Sequence, residues 1–215
     1  MTIVWVLLWL LLAIGVIGFI GWSTNILMAQ KKAWQEFAAK HKLEITQEPG
    51  LLKPVSLAGL IGGRRTNIYS QTEQNPMEKM QRIYTHVEVF LNTPPAVMLV
   101  LSKKLLPSLM SELTLPIGIA VRGTDWPVMS VAQTNDPDAA KVWLNVPRQR
   151  ALNNFMSLSN KETETIFICN GVQAFLIWRS EDPLRDPKKL NALVQKLFAL
   201  AKELDAADAG ISAKP

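Results

Sequence analysis

Cysteine is nearly absent from this chain. Cys169 is the only one, so no internal disulfide framework holds the fold and a reducing compartment suits it. Histidine is almost as scarce: His41 and His86 are the two present, far apart and in no His-Glu-x-x-His arrangement. Zinc takes four protein ligands, or three and a water, so one cysteine and two histidines would need carboxylates to complete a set. No metal site or cofactor is expected. The Gly-x-Ser-x-Gly elbow of serine hydrolases is also missing. Gly59, Gly62 and Gly63 lead into Arg64 without the Gly-Lys-Ser/Thr of a phosphate-binding loop, and a strand follows them, so they read as a turn. Glu88 and Asp125 stand as isolated carboxylates with no acid–base partner in view. Cys169, inside an apolar strand, has the setting of a packed thiol rather than of a nucleophile. These absences leave no catalytic residue and no enzyme class to name.

Nor is charge of one sign concentrated anywhere. The net charge of +5 and pI of about 9.4 come from scattered pairs: Lys31-Lys32, Arg64-Arg65, Lys103-Lys104 and Lys188-Lys189. Nucleic-acid binders gather such charge on one face, and no nucleic-acid partner is expected. Arg148 and Arg150 with Arg179 and Arg185 form either an anion-binding surface or ordinary helix-end and strand-edge charges.

What the chain does hold is an uncharged run from Ile3 to Trp22. Twenty helical residues rise roughly 30 Å, the thickness of a hydrocarbon core, and lipid offers no partner to backbone groups outside a helix. Residues 1–24 are therefore predicted to be a transmembrane anchor, with Trp5 and Trp22 near the two interfaces, where indole rings favour the head-group level. A cleaved signal peptide would carry a basic n-region and small residues before the cut; Met1-Thr2 and the residues after Trp22 supply neither. Lys31, Lys32, Lys40 and Lys42 follow the run and no basic residue precedes it. The positive-inside rule then places the C-terminal domain in the cytoplasm, on the inner (plasma) membrane. No Asn-x-Ser/Thr sequon opposes this. Gly15, Gly18 and Gly21 recur every third residue, a small-residue stripe along which a partner helix or a second copy could approach.

Residues 25–45 read as a juxtamembrane amphipathic helix ending near Lys42, with Trp34, Phe37, Ala38 and His41 on one face. Lys31, Lys32 and Trp34 are candidate membrane-interface residues; the competing reading puts Trp34 and Phe37 in the core. Residues 46–206 form the soluble domain. Val55 to Ile61 and Arg64 to Ser70 flank Gly62-Gly63 as a hairpin. Polar residues 71–81 read as a loop. Strands follow at Tyr84 to Phe90, Val97 to Leu101 and Ile117 to Val121, with a short helix over Leu105 to Leu113. Asp136-Pro137 and Asn145 with Pro147 start two helices. Ile166 to Cys169 and Val172 to Trp178 make a hairpin about Asn170-Gly171, a pair suited to the two positive φ angles of a type I′ turn. Its strands are apolar on both faces and want cover on each side. Asp186-Pro187 caps a last amphipathic helix, and residues 207–215 form a flexible tail. The fold class is α+β: an N-terminal transmembrane helix, then mostly antiparallel strands with packed helices. The two hairpins share a loose pattern that suggests two similar lobes, with a boundary near 104–116.

The order of these features resembles a loose group of uncharacterised bacterial single-pass membrane-anchored proteins with an α+β domain. The resemblance rests on the anchor followed by Trp34, Phe37 and Leu43; on Gly59, Gly62, Gly63 and Arg64; and on Asp136-Pro137, Pro147-x-x-Arg150-Ala151, Gly171 and Asp186-Pro187-x-x-Leu190. It spans most of the soluble domain and implies a bacterial source and an α+β fold, but no activity. The function expected is a membrane-tethered cytoplasmic interaction or scaffold domain, binding a protein partner or an anionic membrane surface through the apolar hairpin and its basic flanks. An enzyme without a recognisable motif and a lipid-binding module at the membrane surface are the alternatives.

Overall fold

Thr2 to His41 contains no proline, and the chain follows it as one unbroken α-helix, α1. The computed structural model describes residues 2–47, 55–74, 81–103, 117–118 and 131–206. The anchor and the juxtamembrane helix expected over 25–45 are thus a single rod. It stops at Lys42, whose φ of +56° turns the chain left-handed, and Leu43 N–H donates back to Ala38 O at 3.0 Å, closing the last turn in the manner of a Schellman end.

Nine strands follow among the described residues: β1 (Glu44–Gln47), β2 (Val55–Ile61), β3 (Arg64–Gln74), β4 (Gln81–Phe90), β5 (Met98–Ser102), β6 (Ile117–Gly118), β7 (Val131–Thr134), β8 (Thr163–Asn170) and β9 (Ala174–Ser180). Between β7 and β8 lie helices α2 (Pro137–Trp143) and α3 (Val146–Met156), and α4 (Pro187–Ala206) closes the domain. The strands join in one sheet of order β1-β2-β3-β4-β9-β8-β5-β7-β6, every neighbouring pair antiparallel. The β8–β9 hairpin inserts between β4 and β5, so the sheet runs unbroken across both halves of the chain. The suggested lobe boundary at 104–116 lies outside the described residues, as do the helix expected over 105–113, Asp125 and the tail 207–215. Of the strand expected at 117–121, Ile117–Gly118 is described and is β6.

Local signals placed most of these elements. Asp136 Oδ1 accepts from the N–H groups of Asp138 and Ala139, Asn145 Oδ1 from Arg148, and Asp186 Oδ1 from Lys188, each satisfying orphan donors at a helix start. Gly62 and Gly63, with φ of +56° and +79°, supply the two left-handed residues that the tight β2–β3 turn requires. Two expectations are corrected. Residues 71–74 are not loop but the continuation of β3, paired with β4 down to Gln74↔Gln81; polar Gln71 and Thr72 are exposed there, as a strand end open to water allows. The second turn is shifted by one residue. Asn170 N–H donates to Gln173 O, so Gly171 and Val172 are the central pair, and only Gly171 has positive φ, +84°. Glycine in the first central position is the type II′ requirement rather than type I′. Asn170 instead uses its side chain, accepting from the N–H groups of Val172 and Gln173.

The register sorts side chains onto two faces. Across the first face run Leu57, Ile68, Val87, Trp178 and Thr165 in one row, and Thr66, Val89, Leu176, Phe167, Leu101 and Ala132 in the next. Against them pack Trp34, Phe37 and Ala38 of α1, Leu152, Phe155 and Met156 of α3, and Leu190, Val194, Leu197 and Leu204 of α4, all in one buried cluster. Each large apolar side chain fully buried there stabilises the fold by about 1.5–3 kcal/mol. On the second face Val100, Ile166, Ile168 and Ile177 form a separate buried cluster. The β8–β9 hairpin is thus covered on both sides, as its composition demands.

Candidate functional site

Two features stand apart from ordinary core. The first is the N-terminal half of α1. Every large apolar residue from Ile3 to Trp22 is at least half exposed, from 51% at Val16 to 77% at Ile3. Cover begins at Ser23 and is complete at Trp34, 1% exposed. The helix is long and apolar enough to cross a membrane. Trp5 and Trp22 lie at the two ends of the bare run, and a Cβ on Gly15, Gly18 or Gly21 would meet nothing. Lys32 is exposed and Lys31 half-buried. Trp34 does not belong with the candidate interface residues: its position on the helix turns it onto the sheet, and the core takes it.

The second feature is a polar layer on the second face of the sheet, assembled from residues that read as unrelated in sequence. In β3 and β4, Asn67 stands opposite Glu88, and Tyr69 opposite His86. In β9 and β8, Arg179 continues the second row beside His86 and faces Glu164. Glu88, which lacked a visible partner in the sequence, accepts from Asn67 Nδ2 at 2.9 Å and from the Tyr69 hydroxyl at 2.7 Å. Arg179 donates through Nε and Nη2 to Glu164 Oε2 at 2.7 and 2.6 Å, and its guanidinium lies 4.8 Å over the Tyr84 ring. The Tyr69 and His86 rings stack with planes 5° apart. His86 is only 6% exposed. Burial, with the Arg179 charge beside it, lowers its pKa to about 4, so the imidazole is neutral at pH 7. The layer holds two carboxylates, one guanidinium and one neutral imidazole, tied to neighbours by short hydrogen bonds. Such a network fixes strand register and rigidity.

The other singled-out residues have structural roles. Arg148, 1% exposed, donates through Nε to Leu204 O and through Nη1 to Trp143 O, both at 3.1 Å, capping the carbonyl ends of α4 and α2. Arg148 serves the first face and Arg179 the second, so these arginines do not make one anion-binding surface. Cys169 is fully buried; burial pushes its thiol up, against a smaller opposing hydrogen bond from Gly171 N–H. The His41 ring packs against Phe37 with planes tilted by 43° and meets Asn191 Oδ1 at 3.0 Å, joining α1 to α4. A shallow cleft of about 280 Å³ opens there, lined by Glu36, Phe37, Lys40, Pro187, Lys188 and Asn191. Among the described residues, no group of three or more His, Cys, Asp or Glu is placed to hold a metal ion. No protein-family model, no curated protein and no solved structure matches this chain.

The far end of the second face offers apolar surface. Leu60 is 67% exposed. Next to it Arg65 lies over the Phe90 ring at 4.8 Å, and Phe90 packs on Phe175 at 5.0 Å.

Proposed function

We propose that this chain is a single-pass, membrane-tethered interaction domain, with its globular part in the cytoplasm and a protein partner bound on the second face of the sheet. The observation that carries the reading is the abrupt change along α1. Twenty bare apolar residues precede a segment of the same helix that is built into the core. Water would penalise that bare surface at about 25 cal/mol per Å², and a hydrocarbon core would not. The lysines beyond the run support the cytoplasmic side.

The β8–β9 hairpin, covered on both faces, leaves little surface for a partner. The patch of Leu60, Arg65 and Phe90 lies beyond the ordered polar layer and sets an exposed leucine beside an arginine laid over an aromatic ring, and aromatic residues and arginine are enriched at interfaces. A photo-crosslinking residue at Leu60 of the full-length protein, in its native membrane, is expected to capture a discrete partner that co-purifies in mild detergent. Leu60→Asp with Arg65→Glu is expected to abolish that co-purification while the protein stays folded in the membrane fraction. A partner retained by the double variant overturns the assignment of the face. Protease digestion of the globular part from outside intact cells overturns the sidedness.

A second reading, a small-ligand site, rests on the cleft between α1 and α4. Its volume of about 280 Å³ lies just below the range of roughly 300–1,000 Å³ typical of ligand pockets.

A further inference from the structure

We propose that the sheet end from which α1 emerges is seated in the head-group layer, so that the domain stands on the bilayer surface instead of hanging from a stalk. This rests on the reading that α1 crosses the membrane.

Three observations converge. Cover of α1 begins at Ser23, the residue after the bare run, with Ile26 and Leu27 half-buried and Gln30 buried, so no bare linker separates the two parts. The heights also match. Gln30 Nε2 donates to Ser70 Oγ at 3.1 Å, which ties a level on α1 to a level on β3. Higher up, Leu43 lies against Gly59, the strand partner of Thr66. Descending α1 toward Trp22 therefore runs with β3 from Thr66 toward Gln74. Eight helical residues below Gln30 descend about 12 Å. Four strand residues below Ser70 descend about 14 Å. The Gln74 end of β3, with its partner Gln81, thus arrives level with Trp22.

The chemistry of this rim fits a head-group layer. Ile83, on the first stretch of β4, is 57% exposed. Arg82, paired with Glu181, stands beside it. Farther along the sheet, Thr163↔Ser180 is level with Thr85 and Ser70, and the exposed Lys161, two residues before Thr163, lies from there toward the same rim. An exposed isoleucine with the long side chains of Arg82 and Lys161 nearby, and Glu181 and Glu162 beside them, suits the boundary between acyl chains and head groups.

The test uses the full chain in nanodiscs of mixed zwitterionic and anionic phospholipid, in a Cys169→Ser background. A nitroxide is attached to Ile83→Cys, Val172→Cys or Leu11→Cys in turn. Collisions with a water-soluble nickel chelate are expected to be several-fold rarer at position 83 than at 172, and collisions with lipid-dissolved oxygen more frequent. Equal nickel access at 83 and 172, with the label at position 11 still shielded, overturns the seating while α1 remains a spanning helix. A label at position 11 open to nickel overturns the spanning reading and the seating with it. Shielding at 83 that survives in detergent and fades on dilution of the protein assigns the rim to a second copy and also overturns the proposal.

Discussion

Arg64, the first residue of β3, and Asp205, the penultimate residue of α4, meet at 2.5 Å with side chains only 10% and 14% exposed. Asp205 also accepts from the Thr93 hydroxyl and N–H and from Asn92 N–H. Burial alone would raise this carboxyl, but the hydrogen bonds from Thr93, Arg64 and Asn92 together hold it below the usual carboxylate value. Its contribution is therefore present above the unfolded-state pKa near 4 and is lost as pH falls through the lower folded value. Asp205→Asn is expected to destabilise the domain by about 2–3 kcal/mol at neutral pH, because Arg64 keeps its charge without a counterion. The loss shrinks at acid pH. Chemical denaturation in detergent, followed by tryptophan fluorescence across the acid range, measures both.

His86 sets a second pH dependence at higher pH. Its folded pKa of about 4 lies below the ordinary 6.5, so above pH 6.5 neither state binds the proton and stability is unaffected. As pH falls from 6.5 to 4 the unfolded chain takes up a proton that the folded one resists. Stability drops by on the order of 3 kcal/mol over that window. His86→Gln is expected to flatten the slope between pH 6.5 and 4 while leaving the lower Asp205 transition in place. An unchanged slope in the variant would assign the dependence to other groups.

Arg148 holds the carbonyl ends of two helices with one guanidinium. Arg148→Ala should cost about 2–4 kcal/mol, from buried carbonyls left without donors and from lost packing under Trp143. Arg148→Lys should recover little of it, since one ammonium cannot reproduce the forked contact to both helices. Thermal unfolding of the two variants beside the parent decides this.

Lys42 carries a left-handed backbone at the end of α1, a conformation costing a side chain-bearing residue roughly 1–2 kcal/mol. Its side chain is exposed. Lys42→Gly is expected to stabilise the domain by about 1 kcal/mol, offset in part by the more flexible unfolded chain, which raises Tm by about 2–4 °C in a domain of this size.

Cys169 has no route to solvent in the folded state, and burial raises its thiol pKa. Thiol reagents should modify it only through opening of the domain. With a stability in the usual range, labelling should be at least roughly a thousandfold slower than for an unfolded thiol and should follow denaturant in step with unfolding. Rapid labelling in native buffer would place the thiol in an accessible setting.

The polar layer shows why some of the architecture escaped the sequence. Asn67 and Tyr69, like His86 and Glu88, are two positions apart and so share a face of their strands. Seeing that the pairs face each other requires the length of the β3–β4 hairpin. Reading 71–81 as loop concealed it, because the strand continues through residues whose polarity imitates a loop. Glu164 and Arg179 were closer to legible: counting back from the turn at Gly171 aligns them, once the turn itself is placed one residue later.

By itself the sequence determined what neighbours along the chain can decide: an apolar run without charge, capped helix starts, glycine turns and strands of alternating or wholly apolar pattern. These depend on groups within a few residues of one another. Only the tertiary structure decided that β9 lies against β4, that Trp34 faces the core, and that Glu88 has two hydrogen-bond donors and Arg148 two helix ends to cap. Apart from the Arg148–Trp143 contact, five positions apart, those contacts join residues distant along the chain, and their geometry follows from how the whole sheet closes.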